Sequence, residues 1–335
     1  MKRFLRILGW SLLAIVAVAI VAYGLAWWIA DSRYNKVWMA HEATFAIPFP
    51  LGEGELAALE AERIAAGAAA EDPLAGVDLQ AVALERAIAN GQHLVQSRVG
   101  CSGCHDKDFG GGVIIDAPFL GHWAAPNLTA GKGSVTLEYT ASDWDHAVRH
   151  GLRRGGRSSS MPAIEFANLS DHELSDIVAY IRSMPPVDRD PGRVKFGPVF
   201  SFVMAFDSSA LLAFNVDHQK AHPVEPPVSA PTAEYGEHIV QVCRGCHGAN
   251  LSGGKIRGDP NMPIVANLTP HETGLKDWTE EDFIRALREG KRKDGRQLSG
   301  YMPWKAYGQM SDAELKAIWA YLRTVPPVEK GSRQD

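Results

Sequence analysis

Two copies of one pentapeptide contain all four cysteines of the chain. They are Cys101-Ser102-Gly103-Cys104-His105 and Cys243-Arg244-Gly245-Cys246-His247. The pattern C-x-x-C-H is typical of covalent attachment of a c-type haem. Each cysteine of such a pair can form a thioether bond to a haem vinyl group, and the adjacent histidine, His105 or His247, then becomes an axial ligand of the iron. The sequence therefore predicts two covalently attached haem c groups.

Other uses of paired cysteines fit the sequence less well. A four-cysteine zinc site usually has its two pairs some 12–20 residues apart, whereas 142 residues separate Cys101 from Cys243. A thioredoxin-like dithiol needs no trailing histidine and would not occur twice. Half a zinc site, a redox dithiol or a disulfide would each leave the repeated histidine unexplained.

A methionine follows each motif at nearly the same distance. Met161 lies 56 residues after His105, Met302 lies 55 residues after His247, and each precedes a proline. A thioether sulfur is a soft, neutral ligand that stabilises ferrous iron, so we expect both methionines to be the second axial ligands. The alternative is that they fill the core, which is the usual role of methionine.

Other methionines and histidines are weaker ligand candidates. Met262 falls opposite His122 in the repeat alignment, so that position does not keep a methionine. We expect the remaining candidates to be packing or surface residues because they lie near helices or lack a histidine counterpart; they are Met184, Met310, His146, His150 and His172.

The two motifs belong to a longer internal repeat. Matching segments recur at offsets of 139 to 141 residues over about a hundred residues, which indicates duplication of a whole domain. The pairs are Asn127-Leu128-Thr129 with Asn267-Leu268-Thr269, Tyr139-Thr140 with Trp278-Thr279, Gly156-Arg157 with Gly295-Arg296, and Pro185-Pro186-Val187 with Pro326-Pro327-Val328. A Gly-x-His triplet also precedes each motif, at Gly91 and Gly236.

Several repeated polar and aromatic residues are candidates for the haem environment. Asn127 and Asn267 can form hydrogen bonds within a loop that covers the haem. The haem propionates need donors, and the candidates are Tyr139, Trp278, Arg157 and Arg296. Ordinary turn or core roles remain open for all of them. Asn-Leu-Thr also matches a glycosylation sequon, but its duplication inside a cofactor domain favours a structural role.

Local signals predict an all-α fold with few strands. Each repeat closes with a helix that begins at a capping box, at Ser170 or Ser311, with glutamate three residues later. Each closing helix ends before two prolines. A second helix is predicted before each methionine, over 142–151 and 279–290, and another leads into the first motif over 84–99.

The N-terminal stretch predicts a membrane anchor. Residues 8–30 carry no charge, and this uncharged run is long enough to span a bilayer. Lys2, Arg3 and Arg6 precede this run and Asp31 follows it, so the positive-inside rule predicts a cytoplasmic N-terminus with the haem domains on the periplasmic side of a bacterial inner membrane. A cleaved signal peptide is the alternative, although its apolar region would be shorter.

These features divide the chain into five predicted parts. They are a transmembrane anchor (1–30), a spacer (31–83), a first cytochrome domain (84–188), a linker (189–232) and a second cytochrome domain (233–330). The chain has 335 residues and a net charge of −5, so we expect no general affinity for nucleic acid.

The repeats resemble a known family. The second repeat (Asn-Leu-Thr-Pro, Trp278-Thr, Asp294-Gly-Arg, Met302-Pro, Ala320-Tyr-Leu-Arg, Pro-Pro-Val) is similar to the cytochrome c subunits of bacterial membrane-bound dehydrogenases, and the first is similar but more divergent. The resemblance implies two class I cytochrome c domains with His/Met haems. It also implies electron transfer from a dehydrogenase or quinol-oxidising complex to a respiratory acceptor, such as a terminal oxidase or a soluble cytochrome.

The leading hypothesis is a membrane-tethered dihaem electron carrier with no catalytic residues of its own. The alternative is a dihaem subunit of a larger oxidase or dehydrogenase complex. A dihaem peroxidase or thiosulfate-oxidising enzyme is a third possibility, which requires an open or unusual sixth coordination position at one haem. The paired methionines argue against an open sixth position at either haem. His122 keeps the third possibility open.

Overall fold

The structure is a computed structural model that describes residues 2–256 and 262–333. Met1 of the predicted anchor and residues 257–261 of the predicted second domain lie outside the described residues. The α-helices, in chain order, are α1 (Lys2–Tyr34), α2 (Glu53–Ala65), α3 (Leu79–Leu94), α4 (Ser102–His105), α5 (Ala141–Val148), α6 (Asp171–Ser183), α7 (Pro198–Phe206), α8 (Ala233–Ile239), α9 (Gln241–His247), α10 (Glu280–Glu289), α11 (Trp304–Tyr307) and α12 (Asp312–Leu322).

Short strands accompany the helices. They are β1 (Gly112–Ala117), β2 (Gly121–Ala125), β3 (Leu152–Arg153), β4 (Arg157–Ser158) and β5 (Lys195–Phe196). The first, second and fifth form an antiparallel sheet in the order β1-β2-β5, with Asp116 opposite His122. The sequence did not predict this sheet, although Val113, Ile114 and Ile115 are β-branched and so favour a strand. The fold is therefore mostly helical with a small β component.

The predicted helix starts are confirmed where a side chain caps the helix. Ser170 and Ser311 each accept a hydrogen bond from the backbone N–H three residues later, and the glutamates Glu173 and Glu314 bond back to the cap backbone. Thr140 and Thr279 cap α5 and α10 in the same way, with aspartate as the third residue. These bonds satisfy backbone donors that a helix start otherwise leaves unpaired.

The helix before the first motif has a different form from its prediction. It continues past α3 as a π-helical turn, Val95–Val99, and then reverses at Gly100 in the left-handed conformation. The interval from Gly91 to Cys101 is three residues longer than the interval from Gly236 to Cys243. The π-turn accommodates the extra residues without moving the helix that precedes it.

The chain folds into two compact units that do not coincide with the two repeats. The first unit contains Met1–Glu42, Gly103–Ala167 and Pro186–Lys220, and the second contains Ala43–Ser102, Asn168–Pro185 and Ala221–Asp335. The division falls inside α4, so Cys101 belongs to the second unit, whereas Cys104 and His105 belong to the first. The second unit holds the closing helices of both repeats.

Two helix crossings in the second unit depend on glycine. A Cβ atom at Gly91 of α3 would lie 1.9 Å from the carbonyl oxygen of Asp176 in α6. A Cβ atom at Gly236 of α8 would lie 1.9 Å from the carbonyl oxygen of Ala317 in α12. Only a residue without a side chain permits backbones to approach so closely. The repeated Gly-x-His triplet therefore marks the same helix crossing in both repeats.

One hydrophobic core of the second unit is built from the second repeat. Its buried residues come from α8, α10 and α12 and from the loops between them, among them Ile239, Leu251, Phe283, Leu315 and Ile318. Met310 is also buried in this core, which is the packing role expected for it.

The first unit contains α1 and part of the predicted linker. Arg3–Tyr34 is a helix that is long and apolar enough to cross a membrane by length and composition. Most of its apolar side chains are exposed, whereas Ala30 packs with Met204 and Leu211. The predicted linker thus contributes β5, α7 and two 3₁₀ turns to a compact unit, and the sequence predicted none of these elements.

Candidate functional site

Three of the four cysteines lie on two short helices, Cys104 on α4 and Cys243 and Cys246 on α9, and Cys101 directly precedes α4. Helix α4 ends at His105 and α9 ends at His247, so each cysteine pair is separated by about one helical turn. Cys104 and Cys246 are exposed, Cys101 and Cys243 are partly buried, and none of the four is in a disulfide. Burial and the nearby Glu165 carboxyl group raise the pKa of the Cys104 thiol. Cysteine thiols at this spacing, outside any disulfide, fit thioether attachment of haem c.

The two histidines are held by the same backbone contact. The Nδ1 atom of His105 donates to the carbonyl oxygen of Pro126 at 2.9 Å, and that of His247 donates to Ala266 at 2.8 Å. This bond fixes the ring orientation and leaves Nε2 as the ring atom that can bind a metal. Burial lowers the pKa of both imidazoles, and it outweighs the hydrogen bond to the carbonyl oxygen, which by itself would raise the pKa. The lowered pKa favours the neutral imidazole, which is the form that binds a metal.

The asparagines after these carbonyls organise the loops. In the second repeat, Asn267 Oδ1 accepts bonds from the backbone N–H and hydroxyl of Thr269, at 2.9 and 2.8 Å. Its Nδ2 donates to Val328 at 2.7 Å, and the Val328 N–H donates to the Thr269 hydroxyl at 3.1 Å. The loop that carries the acceptor for His247 is thereby joined to the segment that follows α12.

The first repeat forms the same network with the equivalent residues. Asn127 Oδ1 accepts from the backbone and hydroxyl of Thr129, and its Nδ2 donates to Val187 at 2.6 Å. Asn127 and Asn267 are almost completely buried, so neither is available as a glycosylation site. Their predicted role in the loop agrees with these contacts, while direct contact with haem stays a prediction.

Each of the two candidate methionine ligands lies in a tight turn of the same type. The carbonyl oxygen of Met161 accepts from the N–H of Ala163, and that of Met302 accepts from Trp304, each at 2.8 Å. Pro162 and Pro303 occupy the centre of these turns at φ −77°, ψ 59° and φ −79°, ψ 48°, close to an inverse γ-turn. Met302 is partly buried and packs against the second-unit core, as Cys243 does.

The candidate propionate donors lie in different settings. Tyr139 packs edge-on against Trp144, and Trp278 packs on the second-unit core. Arg157 is exposed on β4, and Arg296 forms an ion pair with Asp294 at 2.5 Å. Contact of these four residues with haem propionates stays a prediction.

Three histidines outside the two motifs, His122, His146 and His172, make local contacts. His122 Nε2 donates to the Pro191 carbonyl oxygen at 2.8 Å. His146 donates to the His41 carbonyl oxygen, and His172 stacks on Phe49 and contacts Glu225. These contacts agree with packing or surface roles.

A charge cluster around two buried glutamates of the second unit joins the two repeats and was not predicted. His93 Nε2 lies 2.8 Å from Glu314, and His238 Nε2 lies 2.8 Å from Glu173, so each repeat supplies a histidine to the other repeat's capping-box glutamate. Arg98, in the π-turn of the first repeat, lies 2.9 Å from Glu173. The repeated Gly-x-His and Ser-x-x-Glu patterns were visible in the sequence, but nothing in them indicates that they meet.

The glutamates of this cluster remain ionised despite their burial. Burial by itself would raise the pKa of Glu173, but Arg98 and His238 outweigh it and lower the value to about 2. Burial would also raise the pKa of Glu314, but the hydrogen bond to His93 and its charge act against burial, and the pKa of Glu314 is lowered. The cluster therefore holds buried negative charge that is compensated by neighbouring basic groups.

Comparisons with known proteins agree with this arrangement. A sequence model of the family described as cytochrome c matches residues 88–185 and 233–326, more than half of the chain. The fructose dehydrogenase cytochrome subunit of Gluconobacter japonicus is 39% identical over 126 residues, which cover 34% of this chain and 26% of that protein. The cytochrome c subunit of a quinone alcohol dehydrogenase from Gluconobacter oxydans is 26% identical over 258 residues, covering 69% of this chain and 53% of that protein.

A third relative matches over most of its own length. A diheme cytochrome c-type protein of Cereibacter sphaeroides is 26% identical over 257 residues, covering 69% of this chain and 83% of that protein. The chain spans about a quarter and about half of the length of the first two relatives. Each C-x-x-C-H motif falls within one of the two family matches.

Proposed function

Because the chain belongs to the cytochrome c family and has two domains, each with a C-x-x-C-H haem attachment site, we propose that it is a membrane-tethered dihaem electron-transfer protein. Its donor is a membrane-bound dehydrogenase or a quinol-oxidising complex. Its acceptor is a respiratory component such as a terminal oxidase or a soluble cytochrome. One observation carries the proposal. In each repeat, a motif histidine donates a hydrogen bond to a backbone carbonyl oxygen, and a Met-Pro turn follows it in the chain.

The axial ligands belong to this proposal. His105 with Met161 and His247 with Met302 would hold the two irons, and both ligand pairs are electrically neutral. Haem c, when bound, supplies a one-electron Fe(III)/Fe(II) couple. The carbonyl contacts of Pro126 and Ala266 keep each imidazole in one tautomer, and the Met-Pro turns limit movement of each thioether. Fixed ligands on both faces favour electron transfer over substrate chemistry.

The membrane attachment rests on α1. We propose that α1 is retained and spans the bacterial inner membrane, with a cytoplasmic N-terminus and mostly helical, class I haem domains on the periplasmic side. Contact of α1 with α7 supports retention, since Ala30 packs with Met204 and the Tyr23 ring lies near the Phe202 ring. Trp27 and Trp28 are exposed and suit a membrane interface.

The names of the relatives favour a place in a larger complex. Two of them are cytochrome subunits of a fructose dehydrogenase and of a quinone alcohol dehydrogenase, so a dehydrogenase is the partner that we expect to bind this chain. A detergent pull-down of the full-length holoprotein from native membranes, with identification of bound proteins, tests this. Recovery of a dehydrogenase supports the proposal, whereas recovery of the cytochrome alone favours a free carrier.

Substitution of the methionines tests the ligands. We expect Met161→Ala and Met302→Ala each to remove the methionine-to-iron charge-transfer band of one haem and to lower its reduction potential, because a soft neutral ligand that favours ferrous iron is lost. Optical spectra and a redox titration measure both effects. Met310→Leu is the matched control, since Met310 is a core residue. An unchanged spectrum in either alanine variant would show that the ligand is assigned wrongly.

A further inference from the structure

Helix α7 carries an apolar stripe that the first unit leaves exposed. Its sequence, Pro198-Val-Phe-Ser-Phe-Val-Met-Ala-Phe206, contains no charged residue. Ser201, Met204 and Ala205 are buried on one side of the helix. The exposed side chains follow helical spacing at i, i+3, i+4 and i+7, and they are Val199, Phe202, Val203 and Phe206. Phe206 is 85% exposed, and such a continuous apolar stripe indicates an interaction surface.

The buried side of α7 packs directly on α1. Met204 and Leu211 form a cluster with Ala30 of α1. The Arg33 guanidinium donates to the Met204 carbonyl oxygen at 2.5 Å. The Phe202 ring lies 6.4 Å from the ring of Tyr23. Since Tyr23 lies inside the uncharged run of α1, the exposed stripe of α7 continues the apolar surface of α1.

Aromatic residues surround this junction. The ring of Tyr34 meets Phe196 at 4.8 Å, and Trp123 contacts Phe200 at 4.5 Å. The carbonyl oxygen of Phe119 accepts a bond from Val199 at the start of α7, and the Phe119 side chain is exposed. Aromatic side chains concentrate at the boundary between hydrocarbon and water. The apolar stripe therefore lies where the membrane-spanning run of α1 ends.

We propose that α7 is an interfacial helix whose stripe Val199, Phe202, Val203 and Phe206 inserts into the outer lipid interface beside α1. This inference rests on the proposed membrane span. The occupant is lipid because the stripe is continuous with the surface of α1 that lipid covers, and because the helix lacks charge. A helix of this kind buries its apolar face several ångströms into the headgroup and acyl boundary. The first unit is then attached at two points and cannot rotate freely about α1.

Engineered cysteines can test this contact in the holoprotein. Attachment of both haems consumes all four native cysteines, so a single added cysteine is the reactive thiol. The variants are Phe206→Cys on the stripe, Val18→Cys on α1 and Val228→Cys as a matched control. Val228 is 84% exposed, like Phe206, and lies in the second unit. Each variant is reconstituted alone into liposomes and treated with a charged maleimide that cannot cross membranes.

We expect Phe206→Cys and Val18→Cys to react about tenfold or more slowly than Val228→Cys, because maleimide addition requires a hydrated thiolate. Soret absorbance confirms that each variant carries its haems. If Phe206→Cys reacts as fast as Val228→Cys while Val18→Cys is protected, the interfacial helix is wrong and the span stands. If both react fast, the span itself fails. Phe206→Cys could also be protected from the maleimide only at a high ratio of protein to lipid. Loss of protection as that ratio is lowered would show that a second copy of the chain, not lipid, covers the stripe.

Discussion

Two carboxyl groups one turn apart on α6 are held with opposite pKa shifts. Arg98 and His238 lower the pKa of Glu173 to about 2 in spite of burial. At Asp176 burial raises the pKa to about 6, and His172 and Arg86 only partly oppose it. Residue type and helix position are similar at the two sites. The difference comes from the basic groups that the surrounding fold brings to each carboxyl group.

Glu173 should stabilise the protein at neutral pH. Its pKa is 4.5 in the unperturbed state and about 2 in the folded protein, so its contribution is fully present above pH 4.5 and is lost as pH falls toward 2. We expect Glu173→Gln to lower the free energy of unfolding by about 3 kcal/mol at pH 7. Chemical denaturation at pH 7, 5 and 3 measures this. A difference that stays constant down to pH 3 would contradict the ionised cluster.

Asp176 should have the opposite effect and serves as a matched comparison. Its pKa rises from 3.8 to about 6 on folding, so the charged form costs stability as pH rises from 3.8 through 6. We expect Asp176→Asn to raise the free energy of unfolding by about 1–3 kcal/mol at pH 7 and to have little effect at pH 4. The same denaturation series reports it. A destabilised variant at pH 7 would mean that the bonds from Arg86 and Asn90 outweigh the cost of burial.

At the level of elements, local signals predicted the helices well where a side chain accepts a hydrogen bond from a backbone N–H group at the start of the helix. The capping boxes at Ser170 and Ser311 depend on residues three positions apart, so the sequence contains the whole interaction. The β1-β2-β5 sheet and α7 were not predicted. Strand pairing and the packing of an apolar segment depend on residues far away in the chain, and the prolines around α7 suggested a linker instead.

The helix crossings at Gly91 and Gly236 allow a direct test of packing. We expect Gly91→Ala and Gly236→Ala each to lower the free energy of unfolding by about 3 kcal/mol or more, because the new Cβ atom would overlap a backbone carbonyl group. Thermal unfolding followed by circular dichroism measures the loss.

Gly54 provides the control for these substitutions. It lies in α2, where an added Cβ atom has no neighbour within 4 Å, so Gly54→Ala should be neutral or stabilise by about 0.5–1 kcal/mol. If Gly91→Ala behaves like Gly54→Ala, the close approach of α3 and α6 is wrong.

At the scale of the whole molecule, sequence repeats and structural units differ. Within the second unit, His93 pairs with Glu314 across 221 residues of sequence, and His238 pairs with Glu173 across 65. These reciprocal pairs join the closing helices of both repeats within one compact unit. The three additional residues of the first repeat bring Arg98 into the same cluster, so the repeats have diverged at their shared contact.

This arrangement predicts that the second repeat depends on the first for stability. A fragment of residues 233–330 would leave Glu314 without His93 and His238 without Glu173. We expect the fragment to unfold at a clearly lower temperature than the same haem domain in the intact chain. Thermal unfolding followed by haem absorbance measures both. Equal melting temperatures would show that the reciprocal pairs contribute little to stability.

The sequence by itself determined the chemistry and the local elements. The two C-x-x-C-H motifs attach haem covalently, and each capping box joins residues three positions apart, so both can be recognised without coordinates. The tertiary structure decided which carbonyl groups hold His105 and His247, which basic groups surround Glu173, and that α7 packs on α1. Each of these is a contact between segments that are distant in sequence, and its energy exists only once the chain has packed.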